Sequence, residues 1–372
     1  MRIALVISSL QIGGAERQAA ALARALSRRH RVQLLTVWGG GPLEGELKGS
    51  SVELVDLGRR GRLDLRFLWR LAEHIRRHAP DVLYAWLPQV NLISVISKLV
   101  RPATRLAWSV VDAGTAQGPL RADVRLVNAI EPRLARVADV VITNSEAGTR
   151  YARARGFPPS KLVLVRNGID VERFHGSPGA RERLRAEWGF EDAFVVGTVA
   201  RLDPIKDHPT LLRAAALALK ERADLGFVLV GGGDSSYVAS LTQLAEALGI
   251  RERVRLLGPR SDVSDVLASL DAAALTSVAE GFPNAVGEAM ASGLPCLVTD
   301  VGDCAHLVGQ SGFVVPPGDP VALRGALLRL ATLPSQEREA LGRAARERVS
   351  GLFSVESMAG ATEAVFSSLL GG

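Results

Sequence analysis

The apolar positions of this chain fall into short unbroken runs that alternate with longer stretches of helical periodicity. Short apolar runs with few polar interruptions are typical of strands buried on both faces of a parallel sheet. In the first half they predict strands at 2–8, 31–37, 52–56, 81–85, 105–110, 139–143 and 162–165. The stretches between them predict crossover helices, among them 14–29, 63–78 and 120–137.

The helix predicted at 63–78 is amphipathic and strongly basic. Its apolar positions share one face that we expect to pack in the core, namely Leu63, Phe67, Leu68, Leu71 and Ile75. Its arginines lie elsewhere on the helix, namely Arg66, Arg70, Arg76 and Arg77. A core-packed surface helix is one interpretation, and contact with an anionic membrane is the other.

The alternation is interrupted between residues 167 and 193. Asn167-Gly168 predicts a turn, Ser177-Pro178-Gly179 a linker, and 180–188 a short helix. The same alternation then restarts, with strands predicted at 194–200, 226–230, 253–257, 272–276, 295–299 and 313–315. Helices are predicted at 207–222, 235–248, 262–269, 284–292, 320–331 and 336–349. We therefore expect an α/β protein with two Rossmann-like domains of doubly wound parallel sheet, 1–173 and 174–354.

Composition agrees with this organisation and adds a charge asymmetry. The 372 residues are too many for one typical core, and 47% apolar with 23% charged residues is ordinary for a globular chain. Residues 1–170 hold 26 Lys and Arg against 14 Asp and Glu, whereas the remainder is acidic. A basic half could face anionic lipid, a phosphorylated acceptor or nucleic acid, or its arginines could simply be solvated.

Cysteine use and hydropathy indicate a cytosolic chain. Cys296 and Cys304 show neither metal spacing nor a framework of paired disulfides, which fits a reducing compartment. The apolar run after Met1-Arg2 is short and is followed by no cleavage site, so we expect a buried strand there. No apolar stretch is long enough to predict a membrane span.

The first motif that indicates chemistry is Gly13-Gly14-Ala15-Glu16, which follows the first strand and opens a helix. Glycines allow a ligand to approach the backbone, and the free N–H groups of a helix start suit a phosphate or a polar sugar. A simple tight turn is the alternative.

The second motif, Arg201-Leu202-Asp203-Pro204-Ile205-Lys206, follows the first strand of the second half. Its two cations could clamp a diphosphate, since arginine binds oxygens in a bidentate manner and lysine acts as a point charge. Fixed cations would stabilise the charge that builds on a nucleoside diphosphate leaving group. A solvated pair is the alternative.

The third motif opens the helix predicted at 284–292 and reads Glu280-Gly281-Phe282-Pro283-Asn284-Ala285-Val286-Gly287-Glu288. Carboxylates suit sugar hydroxyls, and N–H groups at a helix start suit oxygens of a sugar or a phosphate. An ordinary capped surface helix is the alternative. A fourth motif, Gly231-Gly232-Gly233-Asp234, only partly resembles a dinucleotide fingerprint. It predicts a glycine loop close to a nucleotide or to another backbone segment.

In combination these motifs resemble glycosyltransferase family 4 over nearly the whole chain. The resemblance rests on Gly13-Gly14, the R-x4-K of Arg201 and Lys206, and the E-x7-E of Glu280 and Glu288. Two further matching segments are Asn167-Gly168-Ile169-Asp170 and Thr299-Asp300-Val301-Gly302. It implies a GT-B fold with the site in the cleft between the domains, retention of anomeric configuration and no metal. It also implies a last helix, about 355–372, that packs back on the first domain.

The resemblance also implies roles for individual residues. Arg201 and Lys206 would hold the donor diphosphate, and Glu288 the ribose hydroxyls. Gly13 and Gly14 would approach the donor from the other domain, and the base would lie near the Gly258–Val263 loop, with Arg260 and Val263 as candidate contacts. The donor sugar would meet Glu280, Gly281, Phe282, Asn284 and Ala285.

One position departs from the family pattern. Many members place a histidine or arginine in a first-domain loop facing the donor sugar, and the corresponding stretch here is Trp108-Ser109-Val110-Val111-Asp112-Ala113. The matching position holds Val111, and neighbouring Asp112 has no assigned role.

These observations predict a cytoplasmic glycosyltransferase, peripheral on the inner face of the plasma membrane if the basic half binds lipid. It would transfer a hexose from a UDP- or GDP-sugar to a glycan, lipid or lipid-linked acceptor, without cofactor or metal and without a nucleic acid partner. No D-x-D motif of the metal-dependent route and no zinc-like cluster occurs in the sequence. The alternatives are a nucleotide-sugar 2-epimerase of the same architecture, a silent sugar-nucleotide-binding protein and a Rossmann dehydrogenase.

Overall fold

The computed structural model describes residues 1–61, 63–111 and 122–371, without the side chains of residues 122 and 123. Within these ranges the chain forms two compact units. The first comprises Met1–Gly168 together with the segment that begins at Val355, and the second is Ile169–Ser354. The division lies a few residues before the boundary predicted at residue 173. The reason is that the N–H of Ile169 donates to the carbonyl of Phe353 at 2.7 Å, and Val171 is buried in the core of the second unit.

The described residues form two parallel sheets whose strands lie close to the predicted positions. The strands of the first are β1 (Arg2–Ile7), β2 (Arg31–Thr36), β3 (Glu53–Asp56), β4 (Val82–Trp86), β5 (Arg105–Val110), β6 (Val140–Thr143) and β7 (Leu162–Leu164). Those of the second are β8 (Phe194–Val199), β9 (Leu225–Val230), β10 (Val254–Leu256), β11 (Ala272–Leu275), β12 (Cys296–Thr299) and β13 (Gly312–Val315).

The helices of the described residues also follow the predicted alternation, with short additions. The first eight are α1 (Gly14–Leu26), α2 (Arg66–His78), α3 (Pro88–Ser94), α4 (Ile96–Val100), α5 (Ala122–Leu134), α6 (Glu146–Ala154), α7 (Ala180–Trp188) and α8 (His208–Leu219). The others are α9 (Ser235–Ala247), α10 (Val263–Ala268), α11 (Asn284–Ala291), α12 (Cys304–Val308), α13 (Pro320–Thr332), α14 (Ser335–Leu352) and α15 (Val355–Leu370). No helix in the described ranges combines the length and the apolar character needed to cross a bilayer.

In the first unit the strand order is β3-β2-β1-β4-β5-β6-β7, so the chain reverses direction across the sheet between β1 and β4. Apolar residues of α1 and α15 cover one face of the sheet, where Phe366 packs edge-on against Tyr84 at 5.6 Å. Residues of α2, α3 and α5 belong to the core on the other face. Burial of both faces explains why the central strands read as continuous apolar runs.

The prediction for Leu63 was wrong. Phe67, Leu71 and Ile75 are buried as expected, but Leu63 is 95% exposed, because α2 begins only at Arg66. The carboxylate of Asp64 accepts the N–H groups of Arg60 and Arg66 at 2.9 and 3.0 Å. These bonds hold the preceding residues in a turn, so the helical face starts three positions after Leu63.

The second unit has the order β10-β9-β8-β11-β12-β13, which is the doubly wound Rossmann arrangement. The order reverses between β8 and β11, and the helices that follow these two strands, α8 and α11, pack in the cores on opposite faces of the sheet. Ligands of open α/β sheets bind at such a switch point, beyond the carboxyl ends of the strands. The segments where a ligand is expected are therefore 200–207 after β8 and 276–283 after β11.

Candidate functional site

The loops after β8 and β11 are bound to each other at the switch point of the second sheet. The N–H of Val278 donates to the carbonyl of Ile205 at 2.9 Å. The hydroxyl of Thr276 donates to the carbonyls of Lys206 and Asp207 at 2.9 and 3.0 Å. Because three bonds join the two loops, the side chains they carry keep a defined spacing.

That spacing brings Lys206 and Glu280 together. The ammonium Nζ lies 2.5 Å from the carboxylate Oε1, and the side chains are only 17% and 9% exposed. Ser277 Oγ donates to the same oxygen at 2.5 Å, and the Ser277 carbonyl accepts the hydroxyl of Thr299 at 2.6 Å. A largely buried charge pair with a fixed hydroxyl beside it is a polar centre that a charged or hydroxylated ligand could enter.

Arg201 lies in the same loop but reaches into solvent. Its side chain is 70% exposed and Nη2 is 3.4 Å from Asp203 Oδ2. Asp203 in turn accepts the N–H of Ile205 through Oδ1 at 3.1 Å, so the loop supports the position of this carboxylate. A long, exposed guanidinium beside the partly buried Lys206 is an arrangement that can bind an incoming anion from outside.

The residues after Glu280 lie against a turn that follows β12. A Cβ on Gly302 would lie 2.3 Å from the carbonyl oxygen of Glu280 and 2.7 Å from that of Gly281. Gly302 adopts φ +56°, and the N–H of Asp303 donates to the Gly281 carbonyl at 3.1 Å. The turn therefore packs directly against the backbone of Glu280, and only glycine fits at position 302.

The rest of the third motif continues into α11 as the sequence predicts. Phe282 is buried, with its ring 5.8 Å from that of Phe353, and Asn284 is the first residue of the helix. Ala285 and Glu288 are partly exposed on α11. The motif thus presents a helix start and two carboxylates on one continuous segment.

The loop after β10 carries the residues predicted to meet a base. Arg260 forms a bidentate pair with Asp262, at 2.8 and 2.7 Å, and also contacts Glu187 at 2.9 Å. The hydrogen bond to Asp262 raises the pKa of Arg260 above its usual value. Val263 is the first residue of α10. Contact of either residue with a nucleotide stays a prediction.

The glycine loop after β9 approaches another backbone segment, one of the two alternatives the sequence left open. A Cβ on Gly231 would lie 1.9 Å from the Ala200 carbonyl oxygen, and one on Gly233 would lie 2.2 Å from that of Leu202. The N–H of Leu202 donates to the Gly232 carbonyl at 2.8 Å. The loop therefore supports the segment that carries Arg201.

The remaining predicted contacts belong to the first unit. Gly13 is the extended N-cap of α1 and Gly14 its first residue, in the connection that follows β1 at the switch point of that sheet. Val111 follows β5 and packs against the core beneath α1 and α15. Asp112 and Ala113 lie outside the described residues.

Sequence reasoning missed the polar residues that fix this centre, above all Ser277, Thr276 and Thr299. The signal available was a hydroxyl residue at the end of each of two neighbouring strands, β11 and β12. It also missed Asp207, a non-glycine residue at φ +45° whose carboxylate caps α8 through the N–H of Thr210. Aspartate tolerates this left-handed conformation better than most residues, which explains its place after Lys206.

His208, next to the centre, makes stability depend on pH. Burial lowers the pKa of this histidine from 6.5 to about 4, with a smaller effect of Lys206 in the same direction and of Asp203 against it. The unfolded chain binds a proton below pH 6.5 whereas the folded state does not. The stability this neutral imidazole contributes is therefore present above pH 6.5 and is lost as the pH falls toward 4.

We expect His208→Gln to flatten the decrease in unfolding free energy between pH 6.5 and 4, by roughly 3 kcal/mol at most. Denaturant unfolding followed at several pH values measures the effect. His175→Gln is the control, because His175 is an exposed histidine of the same unit. An unchanged pH profile of the His208 variant would contradict this origin of the acid sensitivity.

The two doubly wound sheets, with a charged centre at the switch point of the second, define a GT-B glycosyltransferase fold. Residues 12–173 match the model of Glycosyltransferase Family 4, and residues 193–332 match that of Glycosyl transferases group 1. Since the two models account for most of the chain, we conclude that the chain belongs to the family 4 glycosyltransferases.

Curated relatives agree with this membership. The chain is 32% identical over 254 residues to a D-inositol 3-phosphate glycosyltransferase of Streptomyces scabiei, covering 64% of this chain and 56% of the relative. It is 31% identical over 240 residues to the putative glycosyltransferase EpsD of Bacillus subtilis, covering 62% of each. The chain thus spans about half the length of the curated relatives it matches.

Solved structures match over nearly the full chain. Anabaena HepE in complex with UDP and glucose is 25% identical with a TM-score of 0.83, covering 99% of this chain and 100% of HepE. The lipopolysaccharide-biosynthesis glycosyltransferase WaaG is 20% identical with a TM-score of 0.71 and covers both chains completely, which supports the fold alone.

Proposed function

We propose that the protein transfers a hexose from a UDP- or GDP-sugar to a glycan, lipid or lipid-linked acceptor, with retention of anomeric configuration and without a metal ion. The observation that carries this proposal is the pair of Lys206 and Glu280 at the switch point of the second sheet, with Arg201 exposed beside it. The complex of HepE with UDP and glucose supports a nucleotide-sugar donor.

The transfer breaks the bond between the anomeric carbon and a diphosphate oxygen, which leaves with the electron pair. An acceptor hydroxyl forms the new bond, and its proton passes to the diphosphate oxygen that leaves. In our proposal the negative charge of the leaving diphosphate is stabilised by Lys206 and Arg201, which take the role that a metal ion plays elsewhere. Before this step, when the donor binds, Glu280 would exchange its bond with Lys206 for hydroxyls of the donor sugar.

The other predicted contacts complete the proposed donor site. Glu288 would accept the ribose hydroxyls, and the N–H groups at the start of α11 would face sugar or phosphate oxygens. The remaining contacts would be Gly13, Gly14, Gly281, Phe282, Asn284, Ala285, Arg260 and Val263.

The acceptor is proposed from charge and from relatives. The basic first half suits an acceptor with phosphate, and relatives are named D-inositol 3-phosphate glycosyltransferases. We propose a cytoplasmic location, with lipid-linked acceptors reached at the inner face of the plasma membrane.

A donor panel tests this function. Purified protein is incubated with UDP- and GDP-sugars, with and without acceptor extracts, and release of nucleoside diphosphate is followed in the presence and absence of EDTA. We expect release from one donor, stimulation by acceptor and no effect of EDTA.

Three outcomes would contradict parts of the proposal. Loss of activity in EDTA would refute metal independence. A product that is an isomerised sugar, formed without acceptor, would favour the epimerase. Neither release nor a thermal shift with any nucleotide would refute nucleotide-sugar chemistry altogether.

A further inference from the structure

Tyr237 lies where the start of α9 meets the start of α8. Asp234 caps α9 and accepts the N–H groups of Ser236 and Tyr237 at 2.9 and 3.4 Å. Side chains of a helix lean back toward its N-terminus, so the ring of Tyr237 leans toward the edge where the strands end. It meets the ring of His208, the first residue of α8, edge to face with centroids 6.1 Å apart. Helix α9 thus contacts the turn that carries Lys206.

The contact between Tyr237 and His208 includes the backbone as well as the rings. The hydroxyl of Tyr237 lies 3.5 Å from Nδ1 of His208 and also accepts the backbone N–H of that residue. His208 is fully buried, and its Nε2 has no hydrogen-bond partner within the described residues. The phenol hydroxyl therefore holds both the side chain and the backbone of His208 from the side of α9.

The hydroxyl of Tyr237 keeps its proton throughout the neutral pH range. Burial raises the pKa of Tyr237 to about 12, and the carboxylate of Asp207 acts in the same direction. A protonated phenol can donate one hydrogen bond while its oxygen accepts others. Both contacts with His208 can therefore exist together at the pH at which a cytoplasmic enzyme works.

The turn held in this way is supported from two sides. The hydroxyl of Thr276, at the end of β11, donates to the carbonyls of Lys206 and Asp207. Strands β9, which leads into α9, and β11 flank β8 on opposite sides, so Thr276 and Tyr237 hold the turn between them. Asp207 keeps φ +45°, and a non-glycine residue holds such a conformation only where its surroundings fix it. The position of Lys206 therefore depends on both supports.

We propose that Tyr237 is a positioning residue, and that its hydroxyl, bound to His208, keeps the ammonium of Lys206 aimed at the diphosphate of the donor. The inference rests on the proposed function, in which Lys206 stabilises the leaving diphosphate. Because charge on that group grows toward the transition state, a small displacement of the ammonium lowers kcat more than it raises the donor KM. Tyr237 acts through Lys206 and needs no contact of its own with the donor.

Tyr237→Phe tests this role, because it removes the hydroxyl and keeps the ring. With UDP-glucose or GDP-mannose, whichever the wild-type protein turns over, we expect kcat to fall roughly tenfold and the donor KM to stay within about twofold. In a Lys206→Met background the same change should cause no further loss, because the ammonium through which it acts is already gone. Release of nucleoside diphosphate, followed in single turnovers for the slow variants, measures these effects.

Two variants serve as matched controls. Ser236→Ala removes a hydroxyl from the same helix start, where Ser236 donates to Asp234. Tyr151→Phe removes a phenol hydroxyl from α6 of the first unit. Both variants should keep the wild-type kcat, and thermal unfolding checks that every variant is folded.

Lysine labelling tests the same contact without any transfer reaction. Acetic anhydride labelling followed by mass spectrometry gives the rate at which Lys206 is acetylated. We expect Tyr237→Phe to raise this rate several-fold, because a looser turn separates the ammonium from Glu280. An unchanged kcat, an equal loss in the Lys206→Met background or an unchanged labelling rate would overturn the proposal. If the wild-type protein turned over no nucleotide sugar, the proposed function would fail, and the labelling rate alone would decide whether Tyr237 positions Lys206.

Discussion

Lys206→Met will lower kcat/KM for the nucleotide-sugar donor by about a hundredfold or more, the loss found when one fixed electrostatic donor to a transition state is removed. The methionine keeps the length of the side chain and its packing but removes the ammonium that contacts Glu280. Because charge on the leaving diphosphate grows toward the transition state, kcat should fall more than KM rises. Steady-state release of nucleoside diphosphate measures both constants.

Two comparisons separate chemistry from stability in this experiment. Lys220→Met, at an exposed position after α8, should leave both constants unchanged. In Lys206→Met the largely buried carboxylate of Glu280 has lost its cation, which lowers the melting temperature. The double variant Lys206→Met/Glu280→Gln also removes that carboxylate, so we expect it to recover the melting temperature but not the activity. If the double variant regained activity as well, neither the ammonium of Lys206 nor the carboxylate of Glu280 would act on the donor.

Sequence spacing could locate these residues because the chemistry of a doubly wound sheet is confined to one edge. Arg201 and Lys206 follow β8 and Glu280 follows β11, and parallel strands bring those loops to the same end of the sheet. The strand order itself, which makes β8 and β11 neighbours across the switch point, could not be read from periodicity. The resemblance to a family supplied it.

The detailed contacts of the centre could not be predicted for a different reason. Ser277 reaches Glu280 from three positions away, but Thr299 ends the next strand, β12, and Gly302 lies beyond it. Hydroxyl residues are common at the ends of strands, so the sequence alone does not show which backbone group such a side chain contacts.

Leu63 illustrates the opposite failure, in which a pattern predicts too much. Helical periodicity over 63–78 placed Leu63 with Phe67 and Ile75. The carboxylate of Asp64 accepts the N–H of Arg66, however, and the helix begins only at Arg66. A local hydrogen bond between side chain and backbone competes with helix formation at such positions. The later start of α2 leaves the side chain of Leu63 exposed instead of packed in the core.

Gly302→Ala will destabilise the second unit by about 2–4 kcal/mol and weaken donor binding together with it. The new Cβ would meet the carbonyl oxygens of Glu280 and Gly281 at 2.3 and 2.7 Å. A shift of these backbone atoms would also move the carboxylate of Glu280. The residue must also hold φ +56°, which alanine adopts at a cost of about 1 kcal/mol. Chemical unfolding and nucleotide titration measure the two effects.

Gly318→Ala isolates the steric part of this effect, because Gly318 also has a positive φ, +69°, but a Cβ added there would meet no atom of the described residues within 4 Å. We expect this variant to lose only the conformational cost of about 1 kcal/mol and to bind nucleotide normally. The difference between the two variants then reports how tightly the turn after β12 supports Glu280. Equal losses of stability, with donor affinity intact in both, would mean that the backbone of Glu280 moves freely and that the turn does not position the donor site.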